Sequence, residues 1–507
     1  AYRLFFVYHI ASVVLLFFFG PKAPLRPGGP TGEAFRLSWA GSILSKGRLP
    51  DMTIFALSAL FVMLAFMTAG IWHGRKPRSL GDYTVAGRES GALRVSGTLL
   101  GALVGGASTV GTVQMAYQWG LSAWWFTLGG GLGCLVLGLW FAIPLRRSRV
   151  QTVPGFLELS YGKAASLVAV MASVTGTFVS IAAQFISGSA LLRGVFPTGG
   201  IVPVFLVGVL VLSFIFMGGL KTFGSLGTWK IAVLYAALAL CLGASLKTFF
   251  SPGGGGAPLP YHPFLNPFGQ GVGQGLGASL SVITGVLCTQ IYIQAIFSAS
   301  DPTTARRGAL LSAVLMPPMG LMGIVVGLSV SRSGVLLQPT TALPPYPAPS
   351  LTPGVGGLLW GVILVTLIGT AAGLTLGVAT NLVFDLLPSL RRGRPQGDLT
   401  KATRMTILVL VVLAGIAGMA GQNSMILRWS YVSMGLRASG TLIPLVTAVL
   451  TPGRLSPAWA LATGSAGLLV TLFWHLTGLA LDPLAAGLTA SALTALSGMI
   501  AGRGRRP

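Results

Sequence analysis

The chain has 507 residues, of which 53% are hydrophobic and only 8% are charged, and its formal net charge is +24. Soluble domains carry about a quarter charged residues, so this composition excludes a protein whose whole surface faces water. In a soluble chain such an excess of basic residues would suggest nucleic-acid binding. The positions of the basic residues therefore decide between a polyanion and a membrane as the partner.

The first apolar run covers residues 3–20 and is followed by basic residues from Lys22 to Arg48. If this run spans the bilayer, those residues face the outside, against the usual bias. A signal-anchor, an interfacial helix and a segment foreign to the natural chain all stay open. We treat residues 1–52 as an extra hydrophobic segment with an outer loop.

Apolar stretches of about 20 residues, the length that crosses about 30 Å of hydrocarbon, recur along the rest of the chain. They predict an all-α integral membrane protein with about 13–14 transmembrane helices and a lipid bilayer as its surroundings. The predicted spans cover residues 53–73, 96–119, 122–145, 164–192, 201–218, 228–249, 272–298, 308–330, 356–385, 404–421, 424–450, 456–476 and 483–502.

Strict alternation of these spans puts nearly all later basic residues on the side of Arg75 and Arg88. The residues on the opposite side are Arg193, Lys247, Arg332 and Arg428. This is the positive-inside pattern and not a nucleic-acid surface, so we expect no nucleic-acid partner. It predicts a multi-pass protein of the cell (inner) membrane with a cytoplasmic C-terminus.

Two predicted helices, over residues 96–119 and 272–298, are interrupted by several glycines. Each opens a group of five spans, and an odd number of spans inverts the second group. We therefore predict a 5+5 inverted-repeat core with units at 96–250 and 272–450. A helix and cytoplasmic loop at 53–95 precede it, and C-terminal helices at 451–507 follow. Close helix packing alone would explain the glycines equally well.

Residue types that carry enzyme chemistry do not cluster in this sequence. Cys134, Cys241 and Cys288 all fall within predicted spans, which argues against a disulfide framework or metal cluster. The histidines are scattered and form no ligand spacing with the acids. We expect neither an enzyme nor an organic cofactor.

Several ordered segments resemble the sodium:solute symporter family. They are GDYTVAGR at Gly81 to Arg88, PLRRSRVQTVPGFLELSYG at Pro144 to Gly162, GGLKTF at Gly218 to Phe223, QIYIQAIFSASDPTTARRG at Gln290 to Gly308 and FDLLPSL at Phe384 to Leu390. The resemblance implies a leucine-transporter-like fold, alternating access and sodium-coupled symport of a small solute. Sodium would be the coupling ion.

The resemblance also implies a sodium site between the first and eighth core helices. Carbonyl groups of Gly101, Val104 and Thr366 and the side chain of Thr370 would bind the ion, and Gly369 belongs to the same predicted sodium-binding set. The family has two consecutive hydroxyl residues at this point, whereas this chain has Gly369 before Thr370. An unwound helix supplies the free carbonyls that a hard cation requires.

Lys230, in the fifth core helix, has two interpretations. In proton-coupled transporters of the broader fold, a lysine on this helix takes the place of the sodium ion. The predicted span begins at residue 228, however, and a lysine near a helix end ordinarily reaches the headgroups. A proton-coupled or uncoupled transporter, or a channel, of the same fold is therefore the alternative function.

The transported solute has to be inferred from the few polar residues within the predicted transmembrane spans. No acidic residue lies in the middle of a predicted span, which disfavours a cationic solute. Arg437 lies near the centre of span 424–450 and would either bind a substrate carboxylate or cap carbonyls of a broken helix. Ser108, Thr109 and Gln290 are the other candidate substrate-binding residues. We expect an organic anion or an amino-acid-like small molecule.

Overall fold

The computed structural model describes residues 49–73, 86–195, 201–216, 219–250, 259–332, 352–390, 399–422, 424–477 and 482–503. The predicted segment at 3–20 lies outside them. The described residues are helical apart from their connections and one backbone bridge between Ser90 and Ala299. The predicted all-α class is confirmed.

Nine helices form the first part of the described chain. They are α1 Leu49–His73, α2 Ala92–Leu103, α3 Thr112–Trp119, α4 Trp124–Val136, α5 Ala142–Arg147, α6 Val153–Tyr161, α7 Lys163–Val195, α8 Val202–Phe216 and α9 Gly219–Phe250. A π-helical turn at Ala107–Gly111 leads into α3, and another at Leu137–Phe141 joins α4 to α5. Short 3-10 turns lie at Ala86–Arg88 and Gly120–Ala123.

The second part of the described chain continues in the same way. Its helices are α10 Val272–Cys288, α11 Gln290–Phe297, α12 Pro302–Arg332, α13 Pro353–Asn381, α14 Leu387–Leu390, α15 Leu399–Ala420, α16 Ile426–Leu450, α17 Pro457–Thr477 and α18 Pro483–Arg503. π-helical turns lie at Tyr261–Leu265, before α10, and at Leu382–Leu386, between α13 and α14.

Length and apolar composition make ten of the described helices able to cross a bilayer, or eleven if the bent pair α10 and α11 is one span. Two shorter apolar helices, Ala92–Leu103 and Val202–Ile215, add to these. Every span predicted between residues 53 and 502 overlaps these helices. The predicted spans 96–119 and 122–145 fall on the short helix Ala92–Leu103 and on Ala107–Arg147, a stretch of 41 residues. The chain is therefore a multi-pass membrane protein.

Both glycine-rich helices are broken, as predicted. α2 ends at Leu103, and Val104 is extended with φ −87° and ψ 99° before the chain turns helical again. α10 ends at Cys288, Thr289 is extended with φ −88° and ψ 119°, and the axes of α10 and α11 differ by 46°. An extended residue inside a span leaves nearby carbonyl groups without their helical partners, which must be replaced within the protein.

Glycines bring α9 against α2. A Cβ atom on Gly227 would lie 2.1 Å from the carbonyl oxygen of Gly97, and one on Gly97 would lie 2.1 Å from Oγ1 of Thr228. Only glycines permit such close backbone approach between membrane helices. The contact places the next turn of α9, which carries Lys230, beside the break that follows α2.

Candidate functional site

The break after α2 releases two carbonyl groups. The amide of Val104 still donates to Leu100 O at 2.7 Å, but the next amide, of Gly105, donates to Oγ of Ser108 at 3.0 Å instead of to Gly101 O. The carbonyl groups of Gly101 and Val104 are thus available to a partner from another helix. This is the unwinding that the sequence predicts for a cation site.

The ammonium group of Lys230 fills that place. Its Nζ donates to Gly101 O at 2.6 Å, to Val104 O at 2.8 Å and to Oγ1 of Thr370 at 3.0 Å. The residue is 3% exposed. Three acceptors match the three N–H donors of an ammonium group, so a protonated Lys230 is fully hydrogen-bonded here. The interpretation that Lys230 reaches the headgroups is therefore wrong.

Thr370, on α13, completes the cluster that we call the carbonyl cage: Gly101 O, Val104 O and Thr370 Oγ1. The Thr370 hydroxyl lies 2.7 Å from Val104 O and 3.2 Å from Gly101 O, so it contacts both released carbonyls as well as the ammonium. A Cβ atom on Gly105 would lie 2.6 Å from Cγ2 of Thr370. The glycine therefore lets α13 approach the break.

The other two predicted cation ligands lie beside the cage. The Thr366 hydroxyl donates to Val362 O of its own helix at 2.7 Å. A Cβ atom on Gly369 would be 3.7 Å from Nζ and from Cδ of Lys230, so the lysine stem passes over this glycine. The resemblance implies a hydroxyl side chain at position 369, where this chain has a glycine. The side chain of Lys230 lies next to this position.

Ser108 and Thr109 are turned towards the broken backbone. Thr109 Oγ1 donates to Gly105 O at 2.8 Å, and Ser108 Oγ accepts from the Gly105 amide. The neighbouring amide, of Gly106, donates to Oε1 of Gln184 on α7 at 2.8 Å. Gln184 was not among the predicted site residues, although a glutamine within a predicted span was a usable signal. Substrate contact by Ser108 and Thr109 stays a prediction.

Gln290 lies at the inner side of the molecule, in the predicted orientation. Its Nε2 donates to Gln151 O at 3.0 Å, and its Oε1 accepts from the amide of Val153 at 3.0 Å. Next to them, Thr152 donates to Oδ1 of Asp385 at 2.8 Å. We call these contacts the inner latch, because they join α11, the start of α6 and the π-helical turn that follows α13. Substrate binding by Gln290 stays a prediction.

Backbone pairing extends the closure on this side. The Ser90 amide donates to Ser298 O, and the Ser300 amide donates to Ser90 O, both at 3.0 Å. Nε of Arg146 donates to Ala299 O at 2.6 Å.

Hydrogen bonds from the hydroxyl groups of Thr303 and Thr304 lower the pKa of Asp301 below its usual value, so this carboxylate, at the start of α12, stays ionised at neutral pH.

A cavity of about 1000 Å³ opens at the other end of the bundle. Residues of α3, α10, α16, α17 and α18 line it, among them Trp119, Ser281 and Tyr431. The ring of Tyr431 packs on Phe126 with centroids 5.7 Å apart, and its hydroxyl has no hydrogen-bond partner among the described residues. In the predicted orientation, this cavity faces outwards.

Arg437, the remaining candidate, is fully buried in the middle of α16. Its guanidinium group lies at the second break, where Nη1 donates to Oγ1 of Thr289 at 2.7 Å. The group therefore contacts the break through a side chain, and not through the carbonyl caps that we considered from the sequence. Binding of a substrate carboxylate stays a prediction.

The comparisons with known proteins identify what this chain is similar to. The model of the "Sodium:solute symporter family" matches residues 83–258. The high-affinity proline transporter PutP of Bacillus subtilis is 25% identical over 437 residues, which are 81% of this chain and 90% of that protein. The predicted resemblance is confirmed, and the relatives indicate a transporter and not an enzyme.

Solved structures show the same fold at low identity. One is the substrate-bound, outward-open state of a Na⁺-coupled sialic acid symporter, with a TM-score of 0.74, 13% identity and coverage of 90% of this chain and 98% of that one. Another is a mutant of the manganese transporter of Eremococcus coleocola, with a TM-score of 0.50, 14% identity and coverage of 84% and 97%. The predicted leucine-transporter-like architecture is confirmed.

Proposed function

We propose that this chain, a transporter that resembles the sodium:solute symporter family, carries a small organic solute by alternating access with the ammonium of Lys230 in place of a coupling sodium ion. The observation that carries this proposal is the set of three hydrogen bonds from Lys230 to the carbonyl cage. The oxygens of the cage are uncharged and lie in a buried region, so a cation satisfies them best.

The proton on Lys230 then does what the ion does in a sodium-coupled carrier. A protonated amine offers a charge and three donors, whereas a neutral amine offers two donors and no charge. Loss of the proton weakens the contacts that hold α9 and α13 against the break after α2. Proton binding and release at this one group would therefore bias the bundle between its two access states.

Sodium-coupled symport is the second candidate, and the family match and the named relatives favour it. The Nζ of Lys230 lies 2.6 to 3.0 Å from the oxygens of the cage, so a sodium ion and this ammonium cannot occupy the cage together. Sodium binding at this position requires Lys230 to withdraw. The predicted sodium ligands stay a prediction under this candidate.

For the cargo we propose an organic anion or an amino-acid-like solute. The acidic residues that the structure describes lie near helix ends, in connections or in the short helix α6, and none lies in the middle of a span. A cationic solute would lack a buried counter-charge. We further propose two inverted five-helix units at 96–250 and 272–450, residence in the inner membrane, and a cytoplasmic C-terminus.

The closed inner latch and the open outer cavity support alternating access. In the predicted orientation, the solute would enter from the outer cavity while the inner latch holds the cytoplasmic side shut. Release on the inner side requires the latch to open. The two breaks lie between these ends, which is where discontinuous helices place a transported solute.

Reconstituted transport tests the proposal. The purified chain is placed in proteoliposomes, sodium and pH gradients are imposed separately, and uptake of carboxylates, amino acids and sugars is measured. We expect a pH gradient to drive uptake against concentration and a sodium gradient to have no effect. Lys230→Ala should abolish the pH-driven uptake, whereas Lys247→Ala, at the exposed outer end of the same helix, should not.

Sodium-driven, pH-independent uptake would establish the second candidate. Uptake that never raises the internal solute concentration above the external one, under either gradient, would show a passive facilitator and refute active transport. Retention of the pH-driven uptake in Lys230→Ala would show that another group carries the proton.

A further inference from the structure

Arg437 is a buried cation, and its neighbours among the described residues include no anion. The residue is 0% exposed, and the titratable side chains next to its guanidinium are Tyr292 and Cys288, which are neutral groups at ordinary pH. No carboxylate lies beside it among the residues that the structure describes. A charge at the centre of a span is costly, so a compensating partner is expected.

The protein partners of Arg437 are all uncharged oxygens. Nη1 donates to Thr289 Oγ1 at 2.7 Å, Nη2 to Ser433 Oγ at 2.9 Å, and Nε to Ser433 O at 3.1 Å. A guanidinium group has five N–H donors in a planar fork, so these contacts leave at least one donor for a ligand.

The surrounding helices form a slot for this side chain. A Cβ atom on Gly176 of α7 would lie 2.6 Å from Cγ of Arg437, so only a glycine there admits the arginine stem. Thr289 is the extended residue between α10 and α11, and Tyr292 is in the first turn of α11. The guanidinium is thus held at the point where the second interrupted helix exposes its backbone.

We propose that Arg437 is the anchor for a carboxylate group of the transported solute. A carboxylate supplies the missing negative charge and accepts two parallel N–H bonds from the fork, which uncharged hydroxyl groups cannot do. The inference rests on the proposed function, because it assumes that the ligand is the cargo. It narrows the cargo from small organic solutes to those with a carboxylate, and it excludes neutral sugars.

The test compares acids with their amides, which lack the carboxylate; lactamide is neutral, whereas the amino-acid amides keep their ammonium group. Purified wild-type protein is heated in detergent with lactate or lactamide, and with alanine, proline or their amides, and the apparent melting temperature is recorded. Uptake of the same pairs into proteoliposomes is measured in parallel. We expect at least one carboxylate to raise the melting temperature and to be transported. Its amide should need at least a tenfold higher concentration for the same shift and should be taken up at least tenfold more slowly.

Arg437→Gln should lose the stabilisation by carboxylates and at least tenfold in uptake, while size-exclusion chromatography shows a folded protein. Arg437→Lys, which keeps the charge and loses the fork, should retain a weaker response. Arg454→Gln is the matched control, because this exposed arginine lies just beyond the end of the same helix. If Arg437→Gln does not fold, Arg437→Lys and the comparison of acids with amides decide.

Failure of this inference is distinguishable from failure of the proposed function. Gradient-driven uptake of neutral amides or sugars at wild-type rates by Arg437→Gln would refute the anchor and leave active transport intact. Stabilisation by carboxylates that depends on Arg437, without any gradient-driven uptake, would support the anchor and refute active transport. Carboxylate binding that persists in Arg437→Gln would mean that the arginine only braces the second break.

Discussion

Thr366 and Thr370 lie one helical turn apart on α13, yet their hydroxyl groups make different contacts. Thr366 donates only to Val362 O in its own preceding turn, whereas Thr370 contacts Gly101 O, Val104 O and the ammonium of Lys230. The sequence resemblance assigns both residues to one cation site. The ligand predicted for Thr366 is its carbonyl group, which stays a prediction, so the hydroxyl groups of the two residues provide an internal control.

Thr370→Val should impair the protein much more than Thr366→Val. The valine keeps the shape of threonine but removes a hydrogen bond to a charged group, which contributes about 1.5 to 3 kcal/mol. We expect at least tenfold slower uptake and a lower apparent melting temperature for Thr370→Val, and changes below about 0.5 kcal/mol in stability for Thr366→Val. Equal effects of the two substitutions on uptake would contradict the assigned cage.

The misplacement of Lys230 by sequence reasoning has a simple cause. The predicted span begins at residue 228, which would put Lys230 in the first turn, near the headgroups. Helix α9 begins at Gly219 and buries its first turns against α2, so Lys230 lies about 16 Å from the start of the helix at 1.5 Å per residue. Start residues are the least certain part of a helix prediction, and here that uncertainty decides the role of the residue.

At the scale of elements, the contact between α2 and α9 is what brings Lys230 to the break. Gly227→Ala would place a Cβ atom 2.1 Å from Gly97 O, so the helices must move apart, at a cost of about 1 to 3 kcal/mol. We expect a lower apparent melting temperature and loss of transport. Gly243→Ala, on the same helix with no atom within 4 Å of the new Cβ, should be neutral or stabilising by up to about 1 kcal/mol. Unchanged melting of Gly227→Ala would show that this contact does not hold the helices together.

The inner latch should control access to the second break from the cytoplasm. Gln290→Ala removes both hydrogen bonds of its amide and leaves the Val153 amide without its partner. In a background of Cys134→Ala and Cys241→Ala, we expect the buried thiol of Cys288 to react several-fold faster with a thiol reagent added on the cytoplasmic side.

Gln274→Ala is the control for that labelling, since this exposed glutamine lies on the outer half of the same broken helix. It should leave the rate unchanged. A Cys288 thiol that stays equally protected in Gln290→Ala would mean that the latch does not close the cytoplasmic side.

At the scale of the whole molecule, the sequence predicts the fold well because a bilayer constrains it strongly. Span length and glycine content, together with the family resemblance, indicate the broken helices over 96–119 and 272–298, and both are broken in the structure. The contacts of Gln184, Tyr292 and Ser433 could not be predicted. They depend on the rotation of each helix about its axis, and residue spacing along one helix does not determine which residue of another helix it faces.

The proposed mechanism depends on one cation site and on whether the Lys230 ammonium or a sodium ion occupies it. Binding of radioactive sodium to the purified wild-type protein, to Lys230→Ala and to Lys230→Ala with Thr370→Val tests this most directly. We predict no saturable sodium binding that depends on Thr370 in the wild type, a gain of such binding in Lys230→Ala, and its loss in the double variant. Saturable sodium binding by the wild type that is unchanged in Lys230→Ala and abolished by Thr370→Val would contradict the account.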